Sequence, residues 1–256
     1  LKESLPTEKT RLSLTDDAFL GGALSALQPA RGFRAGIDSV LLAASVPAEP
    51  GARLIEPGMG AGIAALCLAR RVEGAHVAGL EVDPALAALA RRNAARNGME
   101  NRIIVLDGDV ATPPPGLKRA SFDHAFANPP FHEDGSTLPA ADESLDRARR
   151  GEPGLLSLWL NFCLDHVRDG GTVSVIQRAE RLATILSVLE ARAGALRLFP
   201  LWPRRGIAAK RIIVCARKGA RAPLALLPGL VLHEEDGRYT PEAEAILRHG
   251  APLPLV

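Results

Sequence analysis

Asn128-Pro129-Pro130-Phe131 is the tetrad of this 256-residue chain in which residue type and order carry the most chemistry. An amine conjugated to an aromatic ring is a poor nucleophile, because its lone pair is delocalised. The Asn128 side-chain oxygen and the Pro129 backbone carbonyl can each accept one N–H of such an amine. Two acceptors hold the nitrogen near tetrahedral geometry and aim its lone pair at an electrophile. The paired prolines stiffen the turn that presents the carbonyl. Phe131 can stack on the face of a base, a contact of roughly 1–3 kcal/mol, provided the base has left its own stack. No general base is required, since the product ammonium loses its proton readily. Rate would come from positioning and electrostatics. The same four residues could also be a plain Asn-Pro turn, so their meaning depends on what precedes them.

What precedes them is a glycine-rich turn and two acids, in order. Leu54-Ile55-Glu56-Pro57-Gly58-Met59-Gly60-Ala61-Gly62 reads as two apolar residues, an acid, and G-x-G-x-G between a strand and a helix. Gly58, Gly60 and Gly62 suit a tight turn that a ligand approaches closely. Taken alone, such a turn also fits a dinucleotide or no ligand. The next strand ends in Glu81, nineteen residues after Gly62. An acid there can accept both hydroxyls of a ribose. The third strand runs into Asp107-Gly108-Asp109-Val110, where Asp109 can accept from an adenine amino group. Individually, Glu81 could cap a helix and Asp109 could belong to a turn. Together with Asn128 they occupy the carboxyl ends of four consecutive strands, where an open α/β sheet forms its ligand crevice. The spacing is not the G-x-G-x-x-G of a nicotinamide site, and hydride transfer has no use for the tetrad.

The elements that must position these residues alternate along the chain. Asp38 is expected to cap a helix that stops before Pro47. Strands are expected at 53–56, 76–80, 103–106, 122–127 and 172–176. Helices follow at 62–70, from Asp83-Pro84 to a stop at Gly98, at 155–167 ending near Asp169-Gly170-Gly171, and at 178–192 with a stop at Gly194. Leu196 to Leu201 and Arg211 to Ala216 read as a closing strand pair. This alternation predicts βαβ units and a mostly parallel sheet. The segment around Gly21-Gly22 reads as a hairpin, and the tail from Ala222 as an appended hairpin followed by a short helix.

This layout resembles the class I methyltransferases that use S-adenosylmethionine (SAM). The resemblance implies that Glu56 helps hold the amino-acid end of SAM, with Gly58, Gly60 and Gly62 beneath it. It implies that Glu81 binds the ribose and that Asp109 and the Val110 backbone meet the adenine. Pro57 departs from the small or aliphatic residue usual at its position. The tetrad is similar to the (N/D)-P-P-(Y/F/W) motif of amino-methyltransferases. Those act on adenine N6, on guanine N2 of ribosomal RNA, or on a glutamine amide in proteins. Phe33-Arg34-Ala35-Gly36-Ile37-Asp38-Ser39-Val40-Leu41-Leu42, Lys210-Arg211 and Tyr239-Thr240-Pro241-Glu242-Ala243 are similar to segments of the tRNA adenine-N6-methyltransferases that modify a valine tRNA beside the anticodon. That likeness covers most of the chain. It places the segment with Gly36 and Asp38 over the methionine end of SAM. Related chains also carry an O-methyltransferase label, for which these residues offer no chemistry.

The implied fold is α/β: a Rossmann-like class I methyltransferase with a seven-stranded, mostly parallel sheet, helices on both faces, and a small C-terminal extension. Residues 1–35 would be a hairpin-like extension, 36–221 the SAM-binding domain, and 222–256 an extension packed on it. The expected activity is methyl transfer from SAM to adenine N6 in RNA, a tRNA by resemblance. The alternatives are a protein glutamine amide, a small molecule, or a non-catalytic SAM- or RNA-binding module. A glutamine-amide enzyme usually has a separate helical domain, for which there is little length before Gly36. An intact tetrad argues against the last alternative.

Composition sets the outer limits. Hydrophobic residues are 47% and charged residues 23% of the chain, which suits a packed soluble core. No apolar run reaches the length of a membrane span, and the first residues lack the apolar stretch of a secretory signal. Cys67, Cys163 and Cys215 are far apart, as expected of buried free thiols in a reducing cytoplasm. The six histidines pair with nothing at ligand spacing, so no metal is expected. Net charge is only +2, yet no acid occurs from Leu196 to Leu232. That stretch holds Arg197, Arg204, Arg205, Lys210, Arg211, Arg217, Lys218 and Arg221. It could be a solvated face or could track phosphates. By the resemblance, the basic stretch around Arg204 to Arg221, with Arg204 and Arg205, would meet the RNA phosphates. The long loop 132–153, with Arg147, Arg149 and Arg150, would close on the target nucleotide.

Overall fold

The computed structural model describes residues 13–32, 34–130 and 154–255. Phe33, Phe131 and the loop 132–153, with its three arginines, lie outside the described residues. An N-terminal hairpin pairs β1 (Leu14–Phe19) with β2 (Leu24–Pro29) through a 3-10 turn. There follow α1 (Ile37–Ser45), β3 (Arg53–Pro57), α2 (Ile63–Arg71), β4 (His76–Glu81) and α3 (Pro84–Arg96). The chain continues through β5 (Ile103–Asp107), β6 (Phe122–Ala127), α4 (Leu155–His166) and β7 (Val167–Arg178). It then forms α5 (Leu182–Leu189), β8 (Ala193–Trp202), β9 (Arg211–Lys218), β10 (Ala225–Leu226), β11 (Leu230–Val231) and α6 (Pro241–His249).

The sheet has the order β10-β8-β9-β7-β6-β3-β4-β5, with β11 also on β8. Seven strands make its body. Only β9 runs against the others, between β7 and β8. The order reverses between β3 and β6, which is where a crevice opens in such sheets. Successive strand residues point to opposite faces, so each strand feeds two cores. Leu54 and Phe126 join the core beneath α1, α2, α3, the hairpin and α6. Ile55, Ala125 and Ala127 join the core beneath α4 and α5.

Local signals account for much of this. Asp83 caps α3 by accepting from the N–H groups of Ala85 at 2.8 Å and Leu86 at 3.2 Å, with Pro84 in the first turn. Thr240 caps α6 in the same way, and Gly250 ends it with φ +70°. Four expectations need correction. Asp38 does not cap α1: Gly36 holds that position, and Asp38 turns inward to pair with Arg211. The strand expected from Thr172 starts already at Val167, directly after α4, so that Asp169-Gly170-Gly171 lies inside β7 where it shifts register against β6. Gly194 belongs to β8 and ends no helix. In the tail, β10 and β11 do not form a hairpin with each other. Both lie parallel to β8, because its outer edge offers unpaired backbone groups.

Asn93 ties the hairpin to the glycine turn. Its fully buried amide accepts from Leu27 N–H at 2.8 Å and donates to Leu27 and Ala61 carbonyls at 2.9 Å each. Asn93→Ala leaves three backbone groups without partners. Buried groups so orphaned make a loss of about 3 kcal/mol the expected outcome, read by urea denaturation.

Candidate active site

Strand register carries the predicted residues to one edge. Glu56 lies opposite Gly79 and Pro57 opposite Leu80, while Glu81 lies opposite Asp107. Ile55 pairs with Ala125, so Asn128 leaves β6 beside the glycine turn. Gly58, Gly60 and Gly62 all have positive φ, at +59°, +57° and +84°. At Gly58 a Cβ would come within 2.0 Å of the Trp159 ring, so glycine is required there twice over. At Gly60 a Cβ would meet no atom within 4 Å, and that side of the turn is open to a ligand.

Glu81 is buried and holds the turn. One carboxylate oxygen accepts the Gly60 N–H at 2.7 Å, the other the Asp83 N–H at 2.9 Å. Burial raises its pKa, and these N–H donors oppose the rise. Asp109 sits half-buried beyond β5, with a carboxylate oxygen accepting the Ala111 N–H at 2.8 Å; Val110 follows it, also half-buried.

Four buried side-chain polar atoms lack a hydrogen-bond partner among the described residues, and three are oxygens at this edge. They are Asp38 Oδ1, Glu56 Oε2 and Asn128 Oδ1. A buried unpaired acceptor costs free energy unless something donates to it. Two carboxylate oxygens suit the ammonium of an amino acid, and an amide oxygen suits an amine N–H. With the Glu81 and Asp109 carboxylates, this set of acceptors fits a nucleoside with an amino-acid end.

The methyltransferase small domain family matches residues 34–151, a span that holds the glycine turn, both acids and the tetrad. A tRNA1(Val) (adenine(37)-N6)-methyltransferase from Porphyromonas gingivalis is 30% identical over 222 residues, covering 82% of this chain and 85% of that protein. One of the same name from Bacteroides thetaiotaomicron is 29% identical over 71% of this chain and 75% of its own. A crystal structure titled a predicted O-methyltransferase, from Agrobacterium tumefaciens, is 30% identical with TM-score 0.71, covering 84% of this chain and 98% of that one. This chain belongs to the class I SAM-dependent methyltransferases.

In this methyltransferase two side chains shape the candidate site through long-range contacts. Arg211, at the start of β9, donates from Nε to Asp38 Oδ2 at 2.5 Å. Burial raises the Asp38 pKa and Arg211 counters it. Gln177, near the end of β7, donates to the Pro129 carbonyl at 3.2 Å. Their partners are 173 and 48 residues away, which no local pattern could signal.

The basic stretch does not act as one patch. Arg204 and Arg205 are exposed in the turn after β8, at the carboxyl end of the parallel strands. Because β9 runs antiparallel, Arg217, Lys218 and Arg221 are carried some 24 Å to the other end. There Arg217 donates to the Gly170 carbonyl and Lys218 to that of Val167. The stretch around Arg204 to Arg221 is thus divided between the two ends of the sheet.

Among the described residues no helix is long and apolar enough to cross a membrane, and no group of His, Cys, Asp or Glu is placed to hold a metal. The three cysteines are buried, and burial pushes Cys67 and Cys163 up to about 12 and Cys215 up to about 11.

Glu56 offers a test of its surroundings. Burial raises its pKa well above 4.5, and the nearby Glu81 carboxylate adds to the rise. A folded-state pKa above the unfolded one means that the folded state loses stability as pH climbs past 4.5. Glu56→Gln removes that loss. Without SAM, its melting temperature should match the parent's in acid and exceed it by a margin that grows toward neutral pH. Equal margins at all pH values would contradict this account.

Proposed function

We propose that this enzyme methylates the exocyclic N6 amine of an adenine in RNA, a tRNA. The observation that carries the reading is the pair of acceptors after β6: Asn128 Oδ1, buried without a partner among the described residues, and the Pro129 carbonyl beside it. An amine offers two N–H groups to two acceptors. A hydroxyl offers one, which would leave an acceptor unsatisfied, so the pair favours nitrogen over oxygen. The names of the relatives from Porphyromonas and Bacteroides support adenine within a tRNA.

In this proposal residues 36–221 form the SAM-binding unit, with 1–35 and 222–256 as extensions. Glu81 takes the ribose hydroxyls on the lone pairs that Gly60 and Asp83 leave free. Asp109 and the Val110 backbone meet the adenine of SAM. Glu56, Asp38, Gly36 and the three glycines of the turn surround its amino-acid end. Bound SAM supplies a methyl group made electrophilic by the sulfonium. Asn128 and Pro129 orient the target nitrogen toward it, and Phe131 stacks on the flipped base. Orientation of this kind supplies much of a barrier reduction. Arg204 and Arg205 contribute a positive field at the same end of the sheet.

The deciding experiment incubates the protein with labelled SAM and total tRNA, then digests the tRNA to nucleosides. Label in N6-methyladenosine is expected. Label in a 2′-O-methyl nucleoside, or in protein and not in RNA, overturns the proposal.

A further inference from the structure

We infer that Gln177 is a positioning residue for methyl transfer, which fixes the Pro129 carbonyl so that one lone pair remains for the target amine. The inference rests on the reading of Asn128 and Pro129 as the amine site. Gln177 is 1% exposed. Extending the β6–β7 register, in which Ala127 faces Val175, by two residues sets Pro129 opposite Gln177. The side-chain amide bridges them. Its Oε1 accepts the Arg178 N–H at 2.9 Å, and its Nε2 donates to the Pro129 carbonyl at 3.2 Å. A backbone N–H can only donate, so the atom facing it must be the oxygen, and the NH2 must face Pro129.

A peptide carbonyl has two lone pairs. One is spent on Gln177. Held by this bond and by the ring of Pro130, the peptide plane has little freedom left. The other lone pair is the acceptor for the second N–H of the amine. Losing the tether lets the carbonyl rotate, and small misplacements of a reacting group are costly in rate. Ground-state binding of SAM does not pass through this bond.

The test compares the parent with Gln177→Glu and Gln177→Leu in the tRNA methylation assay, with Asn128→Ala alongside. Gln177→Glu keeps shape and the acceptor for Arg178 but sets an anionic oxygen against the carbonyl. Its kcat should fall about tenfold or more at pH 8, with KM for SAM within about threefold of the parent. Acidification should restore it relative to the parent, because the protonated carboxyl can donate to Pro129. Beside position 177 in the strand register stand Arg178 on β7 and Arg211 on β9, which face each other and pair with Glu180 and Asp38. Gln177→Leu should show the kcat loss at every pH without recovery. Turnover near parental in both variants overturns the inference. A loss with no acid recovery in Gln177→Glu, accompanied by weaker SAM binding or a lowered melting temperature, also overturns it, since that marks a structural role. If Asn128→Ala is inactive while both Gln177 variants are active, the amine-site reading survives and this inference alone fails. If Asn128→Ala is as active as the parent, the amine-site reading fails first.

Discussion

Asn128→Ala is expected to bind SAM within about threefold of the parent and to turn over about a thousandfold more slowly, the cost typical of removing one preorganised polar group from a reacting centre. The effect belongs to kcat because the Asn128 oxygen has no partner among the described residues. Truncating it removes a buried acceptor that no described residue satisfies. Stability should be unchanged or slightly raised, which separates the chemistry from any folding defect. Asn128→Asp makes the complementary point. It keeps an acceptor oxygen at the same place, adds charge, and should retain a measurable fraction of activity. Calorimetry gives the SAM affinity, and single-turnover transfer to tRNA gives the rate of the chemical step. If Asn128→Ala lost SAM binding, Asn128 would belong to the cofactor contacts and the chemistry would have to be sought elsewhere.

Glu81→Ala should show the opposite split. Hydrogen bonds to a charged group are worth about 1.5–3 kcal/mol each, so losing two to a ribose weakens SAM by about a hundredfold or more. The variant also frees the Gly60 N–H, which Glu81 holds at 2.7 Å, and the turn then loses its anchor to β4. At saturating SAM, kcat should stay within about fivefold of the parent, because Glu81 does not touch the reacting atoms. Glu81→Gln grades the effect. Its single oxygen can serve Gly60 or Asp83 but not both, and a loss of about tenfold in SAM affinity is expected. A fall in kcat with unchanged affinity would remove Glu81 from the cofactor contacts.

The two splits reflect two kinds of information in the chain. The edge that gathers Glu56, Glu81, Asp109 and Asn128 was legible because it is written locally. Alternating apolar runs mark the strands, Asp83-Pro84 marks a helix start, and glycines mark the turn where φ must be positive. Parallel strands joined by right-handed crossovers then bring every strand end to one side. Motifs that follow consecutive strands meet without any knowledge of packing. Local reading failed where a residue had two uses. Asp38 looks like a cap by type and position, but an arginine from β9 outcompetes the helix terminus for its carboxylate.

By itself, then, the sequence determined the α/β class, the strand ends, the glycine turn and the place of the Asn-Pro-Pro segment after β6, because each depends on backbone preferences within a few residues. Tertiary structure alone decided which carboxylates are buried, that Gln177 holds the Pro129 carbonyl, that Arg211 reaches Asp38, and that one basic run divides between opposite ends of the sheet. Those outcomes depend on the antiparallel insertion of β9 and on the register of β7 against β6. Both are set by long-range pairing, where a strand's direction and a shift of one residue change every partner it meets.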